Sequence, residues 1–132
     1  FNSKYLFNLC TNSKTNIKTL LMNQKNVVGI GNIYASEALF LSKINPVKQS
    51  NKLTIEECKQ LTVSSKNILN SAIKCGGTTI KDFYSADGNA GYFKIKLNVY
   101  GREGLDCRKC NSKIKKVTVN NRATFYCSQC QS

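Results

Sequence analysis

Histidine is absent from this sequence of 132 residues. Without it the chain holds no Ser-His or Cys-His pair for nucleophilic catalysis. Acids are scarce as well. Only 7 Asp and Glu stand against 20 Lys and Arg, 17 of them lysine, for a formal net charge of +13. A balance that positive calls for an anionic partner. Nucleic acid leads, because no amphipathic membrane helix stands out. No apolar run approaches the ~18 residues that cross a bilayer, and there is no signal-peptide pattern, so no membrane partner is expected. A disulfide framework is disfavoured. The 7 cysteines are an odd count, and four fall in two C-x-x-C pairs, the usage of a metal site in a reducing compartment. The hydrophobic share of 41% suffices for a modest core. The length fits one domain, or one small helical domain plus a metal-stapled module. The opening Phe1, in place of Met, reads as a fragment or a processed product.

What is present centres on Asn26 to Phe40, NVVGIGNIYASEALF. Gly29 and Gly31 lie between an apolar run and a helical run, and Asn32 stands where the helix pattern begins. Glycine there allows a tight turn and close approach of a partner, while a helix start offers free N–H groups and the positive dipole end. Together these make a seat for phosphate. The competing reading is a sharp turn between packed helices, with Asn32 as an ordinary N-cap. The dinucleotide fingerprint G-x-G-x-x-G fails, since Tyr34 occupies the third glycine position.

Around that stretch the sequence reads as helices and then a finger. Phe1 to Asn12 is a lead-in resembling the tail of a linker. A first helix begins near Thr15, capped by it, with Ile17, Leu20 and Leu21 as its stripe. Lys14 and Lys18 stand four apart at its entry, either gripping phosphate or simply solvated. A second helix spans about Asn32 to Ser42, with Ala35, Ala38 and Leu39 as its apolar side and Tyr34 and Phe40 as core residues. Thr54 and Glu57 form a capping box for a third helix reaching about Lys74. Cys58, Leu61, Ser65, Ile68, Leu69 and Ala72 repeat along one of its faces. Cys58 and Cys75 are small buried residues rather than ligands, and Gly76-Gly77 ends the helix. The segment 78–93 is rich in turn residues, and Lys96 to Arg102 alternates weakly, as a strand would.

The last forty residues change character. Cys107-x-x-Cys110 and Cys127-x-x-Cys130 stand sixteen residues apart, which fits zinc spacing. Four thiolates fill a tetrahedron and leave no open position, so one structural Zn2+ is expected rather than a catalytic one. Between the pairs, Lys113 to Val119 and Arg122 to Tyr126 alternate as two strands joined at Asn120-Asn121, where Asn tolerates positive φ. Arg122 beside the tip is placed to clamp phosphate or to be solvated. The fold class expected is mainly α, followed by a small zinc-stapled β-hairpin finger.

The runs KTLLMNQKNVVGIGNIYASEALF, GGTTIKDFYSADGNAGYF, VYGREGLDCRKC and NNRATFYCSQCQ, in that order, resemble the C-terminal half of the formamidopyrimidine-DNA glycosylase family. The resemblance implies a helix–two-turns–helix DNA-binding domain over 1–93, with a lesion-capping loop at 78–93, and a zinc finger over 94–132. It implies base-excision repair by a bifunctional glycosylase and AP lyase that removes oxidised purines, with double-stranded damaged DNA as partner. By resemblance Lys14, Lys18, Gly31, Asn32 and Arg122 bind DNA, Arg122 donates the proton in δ-elimination, and Cys107, Cys110, Cys127 and Cys130 hold Zn2+. The family's nucleophile, an N-terminal proline followed by glutamate, is absent from Phe1-Asn2, so these residues alone are expected to be inactive. Asn23 replaces a usual aspartate. The resemblance further implies a monomer in a bacterial cytoplasm. The rival readings are a non-catalytic zinc-containing nucleic-acid-binding module and, more weakly, a redox protein using the C-x-x-C pairs.

Overall fold

The computed structural model describes residues 2–74 and 97–132. Gly76-Gly77, Cys75 and the loop expected at 78–93 lie outside the described residues. Among the described residues four α-helices come first, α1 (Ser3–Thr11), α2 (Ile17–Met22), α3 (Asn32–Leu41) and α4 (Ile55–Lys74), then a hairpin of β1 (Lys115–Val119) and β2 (Arg122–Tyr126).

The lead-in is a helix, contrary to the linker expected there. Asn2 caps it, its side chain accepting from the Tyr5 N–H at 2.9 Å, and Leu6 and Cys10, four apart, turn into the core. The cap of α2 is Asn16 rather than Thr15, because the Asn16 carboxamide accepts from the Thr19 N–H. The capping box of α4 forms as expected: Thr54 Oγ1 accepts from the Glu57 N–H at 3.1 Å, and Glu57 Oε1 accepts from the Thr54 N–H at 3.0 Å. Glu57 also pairs with Lys48 at 2.8 Å. Along α4, Cys58, Leu61, Ser65 and Ile68 are buried and Leu69 is half-buried, while the side chain of Ala72 lies outside the described residues.

The second helix departs from its expected one-sided pattern. Residues 33 to 40 are all buried. The reason is position: α3 packs against α2, α4 and β2, so no face is left for water. It is the axle of the molecule. Most of its apolar residues join the main core with Leu6, Ile17, Leu21, Ile30 and Leu61. Phe40 instead enters a second core with Val99, Cys107, Ile114, Phe125 and Cys127. Tyr100 touches both cores and meets Phe125 edge-on, with ring centroids 4.9 Å apart. Tyr34 and Phe40 are core residues, as expected.

The hairpin is antiparallel with Val119 opposite Arg122. Asn120 and Asn121 both take positive φ, 49° and 63°, the geometry of a type I′ turn. Strand β1 starts at Lys115, later than expected, and residues 97–102 form turns rather than a strand. The chain end is sewn to the helices. Gln131 accepts from the Cys127 N–H at 2.7 Å and donates to the Ile44 carbonyl at 2.9 Å. The Ser132 N–H reaches the Lys43 carbonyl at 3.2 Å. The finger is therefore fixed to the helical layer at its base as well as at its tip.

Candidate nucleic-acid interface and metal centre

The glycine turn works through two different conformations. Gly29 has φ +95°, a region that a side chain rarely adopts, and an added Cβ would lie 3.3 Å from Leu69 Cδ2. Gly31 has ordinary extended backbone, φ −95° and ψ −172°, and a Cβ there would meet nothing within 4 Å. Nothing in the described chain requires Gly31 to be small. Gly31 is the N-cap of α3 and supplies no side-chain cap. Asn32 is therefore the first helical residue and not the N-cap that the competing reading made it.

The Asn32 side chain turns sideways. Its Nδ2 donates to the Ala123 carbonyl on β2 at 3.0 Å, and its Oδ1 accepts from Lys18 Nζ at 2.5 Å. Lys18 Nζ also donates to Thr124 Oγ1 at 2.7 Å. One lysine thus joins α2, α3 and β2. It is only 1% exposed, so it is not simply solvated. Both partners are neutral, and among the described residues no carboxylate pairs with it. Burial first, and then the Arg122 charge, bring its ammonium down to about pKa 8. Arg122 sits exposed at the start of β2. Lys18 and Arg122 share the lining of a hollow of about 310 Å³ with Thr19, Met22, Asn23, Val119 and Asn120. The hairpin tip is held there by Asn120 Nδ2, which donates to Thr19 Oγ1 at 2.8 Å. Lys14 is exposed in the turn ahead of α2, and among the described contacts it makes none with this cluster.

The four finger cysteines converge. Their Sγ atoms all lie within 4.8 Å of one another, with Cys107–Cys130 at 3.8 Å and Cys110–Cys127 at 3.4 Å. Zinc–sulfur bonds of ~2.3 Å in a tetrahedron put sulfurs about 3.8 Å apart, so the donor set fits such an ion. Cys107 and Cys127 are buried, Cys110 is exposed. Hydrogen bonds from Ser112 bring the Cys110 thiol down to about 6, whereas burial and its neighbours push Cys130 up to about 12. Crowded thiolates oppose one another, and a divalent cation at their centre relieves that.

Two side chains that matter here were not singled out in the sequence. Glu37, 1% exposed in mid-α3, accepts from the N–H groups of Asn98 at 2.7 Å and of Val99 and Tyr100 at 2.9 Å. Burial holds its carboxyl above the ordinary value, although three N–H groups pull the other way. It clamps the approach to the finger onto α3. The visible signal was an acid inside the apolar run YASEALF. Thr124 carried no such signal, because an inward threonine on a strand is commonplace.

Residues 1–84 match the family described as "Formamidopyrimidine-DNA glycosylase H2TH domain". The formamidopyrimidine-DNA glycosylase of Hydrogenovibrio crunogenus is 53% identical over 131 residues, covering 99% of this chain and 47% of that protein. That of Ruthia magnifica is 48% identical over 132 residues, covering 100% and 49%. The crystal structure of the MutM (Fpg) protein from Thermus thermophilus superposes with TM-score 0.88 at 36% identity, over 99% of this chain and 50% of that one. Lactococcus lactis Fpg, in a complex with DNA containing an abasic site, gives 0.88 at 40%, over 99% and 48%. The chain spans about half the length of the curated relatives it matches. On that family match and this run of identity from end to end, the chain belongs to the formamidopyrimidine-DNA glycosylase family.

Proposed function

We propose that this chain is the DNA-gripping half of a formamidopyrimidine-DNA glycosylase, acting in base-excision repair. One observation carries the reading: the buried ammonium of Lys18, set between Asn32 and Thr124, borders an open hollow it shares with Arg122. A buried cation without a carboxylate is costly unless an anion arrives. A DNA phosphodiester fits that demand, and the start of α3, the bare backbone at Gly31 and a net charge of +13 favour it further. Phosphate contacts position a protein without reading sequence, which suits a search for damage anywhere in DNA. Lys14, exposed ahead of α2, would add a further positive charge for the same partner.

The four cysteines hold one structural Zn2+, whose part is to brace the hairpin; Cys107, Cys110, Cys127 and Cys130 would supply all its ligands. In the whole protein the activity would be release of oxidised purines and nicking at the abasic site, with Arg122 as proton donor in δ-elimination. The helical unit 1–93 and the finger 94–132 would act as a monomer on damaged duplex. The only proline here is Pro46, followed by Val47 and not by glutamate. Taken alone, these 132 residues bind damaged DNA and leave its bases in place.

The test is binding of the metal-loaded chain to a short duplex carrying an abasic-site analogue, across a salt series. Log affinity should fall linearly with log salt. Arg122→Ala should weaken binding about tenfold and lower the slope by about one. Affinity indifferent to salt and to Arg122 would remove the proposal.

A further inference from the structure

The Lys18 site also bears on how DNA binding responds to pH, a step that rests on the phosphate reading above. We propose that a phosphodiester enters the hollow beside Lys18 together with a proton, so this one contact, unlike those of exposed lysines, switches off in mildly alkaline solution.

An ammonium has three N–H donors. Asn32 Oδ1 and Thr124 Oγ1 use two, and both are neutral acceptors that would serve a neutral amine's N–H groups equally. One position is left for a ligand. The groups around Lys18 do nothing to keep it charged. From β2 the charged neighbour is Arg122, a cation. From α3 come Asn32 and, further along, Glu37, whose oxygens are taken by the backbone of 98–100. From the stretch that bonds the start of α2, Lys48 is already paired with Glu57. From the hairpin turn comes Asn120, bonded to Thr19. Among the described residues, then, burial and a like charge act on this amine with no carboxylate to oppose them.

An anion in the hollow reverses that balance. An opposite charge within 4–6 Å typically raises a cation's pKa by 1–3 units. The free site near 8 would move to about 10 in the complex. The complex then holds more protons than its parts, and binding takes up the difference. At pH 8.5 about three quarters of free Lys18 is neutral and nearly all bound Lys18 is charged, an uptake of about 0.7 proton. Between pH 7 and 9.5 the same linkage weakens binding about 20-fold. Exposed lysines near 10.4 stay mostly charged over that range.

The experiment is titration calorimetry of the metal-loaded chain with a short duplex carrying a tetrahydrofuran abasic-site analogue. It is run at pH 8.5 in two buffers of different ionisation enthalpy, which counts protons. Wild type should take up about 0.7 proton more than Lys18→Arg, whose side chain stays charged throughout. Equal counts in the two proteins, both binding, overturn the proton linkage and leave the phosphate reading standing. Failure of wild type to bind the duplex at pH 7 overturns the phosphate reading itself. If Lys18→Arg does not fold, the titration of the wild-type Lys18 side chain is followed by NMR with and without the duplex. A midpoint that rises on adding DNA supports the proposal, and one that stays near 8 refutes it.

Discussion

Replacing Glu37 with alanine should cost about 2–4 kcal/mol of stability, a figure built from the three N–H groups its carboxylate serves. The Val99 N–H belongs to a residue with no exposure, and losing its acceptor costs the full penalty of a buried orphan, about 1–3 kcal/mol. The Asn98 and Tyr100 N–H groups are half-buried, can recover water, and add about 0.5 kcal/mol each. Relief of the buried charge moves the expected cost toward the lower end of that range. Glu37→Gln should sit between wild type and alanine, because an amide has one oxygen to accept with and turns an N–H₂ toward a donor. The assay is urea unfolding of the metal-loaded protein with both midpoint and slope recorded. The sign with pH follows from the raised carboxyl value. The folded state holds its proton to higher pH than the unfolded chain, so wild-type stability falls relative to Glu37→Gln as pH rises above about 4.5. An alanine variant within about 0.5 kcal/mol of wild type would show that the clamp is not what fixes 98–100 to α3.

Three further outcomes follow from the same geometry. Gly29→Ala should lower stability by about 1–2 kcal/mol, given its φ and the Leu69 contact, whereas Gly31→Ala should leave the melting temperature unchanged and weaken duplex binding; equal behaviour in both assays would refute the division of labour between the glycines. Lys18→Met should stabilise the fold by a few kcal/mol at pH 7 while weakening DNA binding. Because the folded ammonium is depressed to about 8, wild-type stability should rise between pH 8 and 10.5 and the variant's should not, a difference that thermal melts across that range would reveal. Chelation of the metal should free the hairpin, lower the melting temperature and cut duplex affinity at least tenfold, with recovery on adding Zn2+ back; unchanged affinity in metal-free protein would mean that the finger does not position Arg122.

Much of the local architecture was legible because it depends on short-range chemistry. The Thr54–Glu57 capping box, the Asn120-Asn121 turn, the buried repeat along α4 and the two C-x-x-C pairs each act within a few residues of chain. The misreadings were also local. Asn2 and Asn16 cap helices in which Tyr5 and Thr19 supply the bonded N–H groups, and neither has the glutamate three residues on that marks a capping box. The helix at α1 was missed for that reason, although Leu6 and Cys10 have helical spacing.

The sequence by itself determined the charge, the set of four cysteines able to hold a metal, the helix and hairpin chemistry, and the resemblance that led to the family. Only the tertiary structure decided what Lys18, Asn32, Glu37 and Thr124 do. Glu37 and Thr124 are unremarked in their own stretches, and all four work through partners 14 to 106 positions away, Lys18 with Asn32 and Thr124, Glu37 with 98–100. Folding brings α2, α3 and β2 together because their apolar faces need burial, and the polar groups at the seam are carried along. There Lys18 loses water without gaining a carboxylate among the described residues, and that imbalance is what the proposed anion would answer.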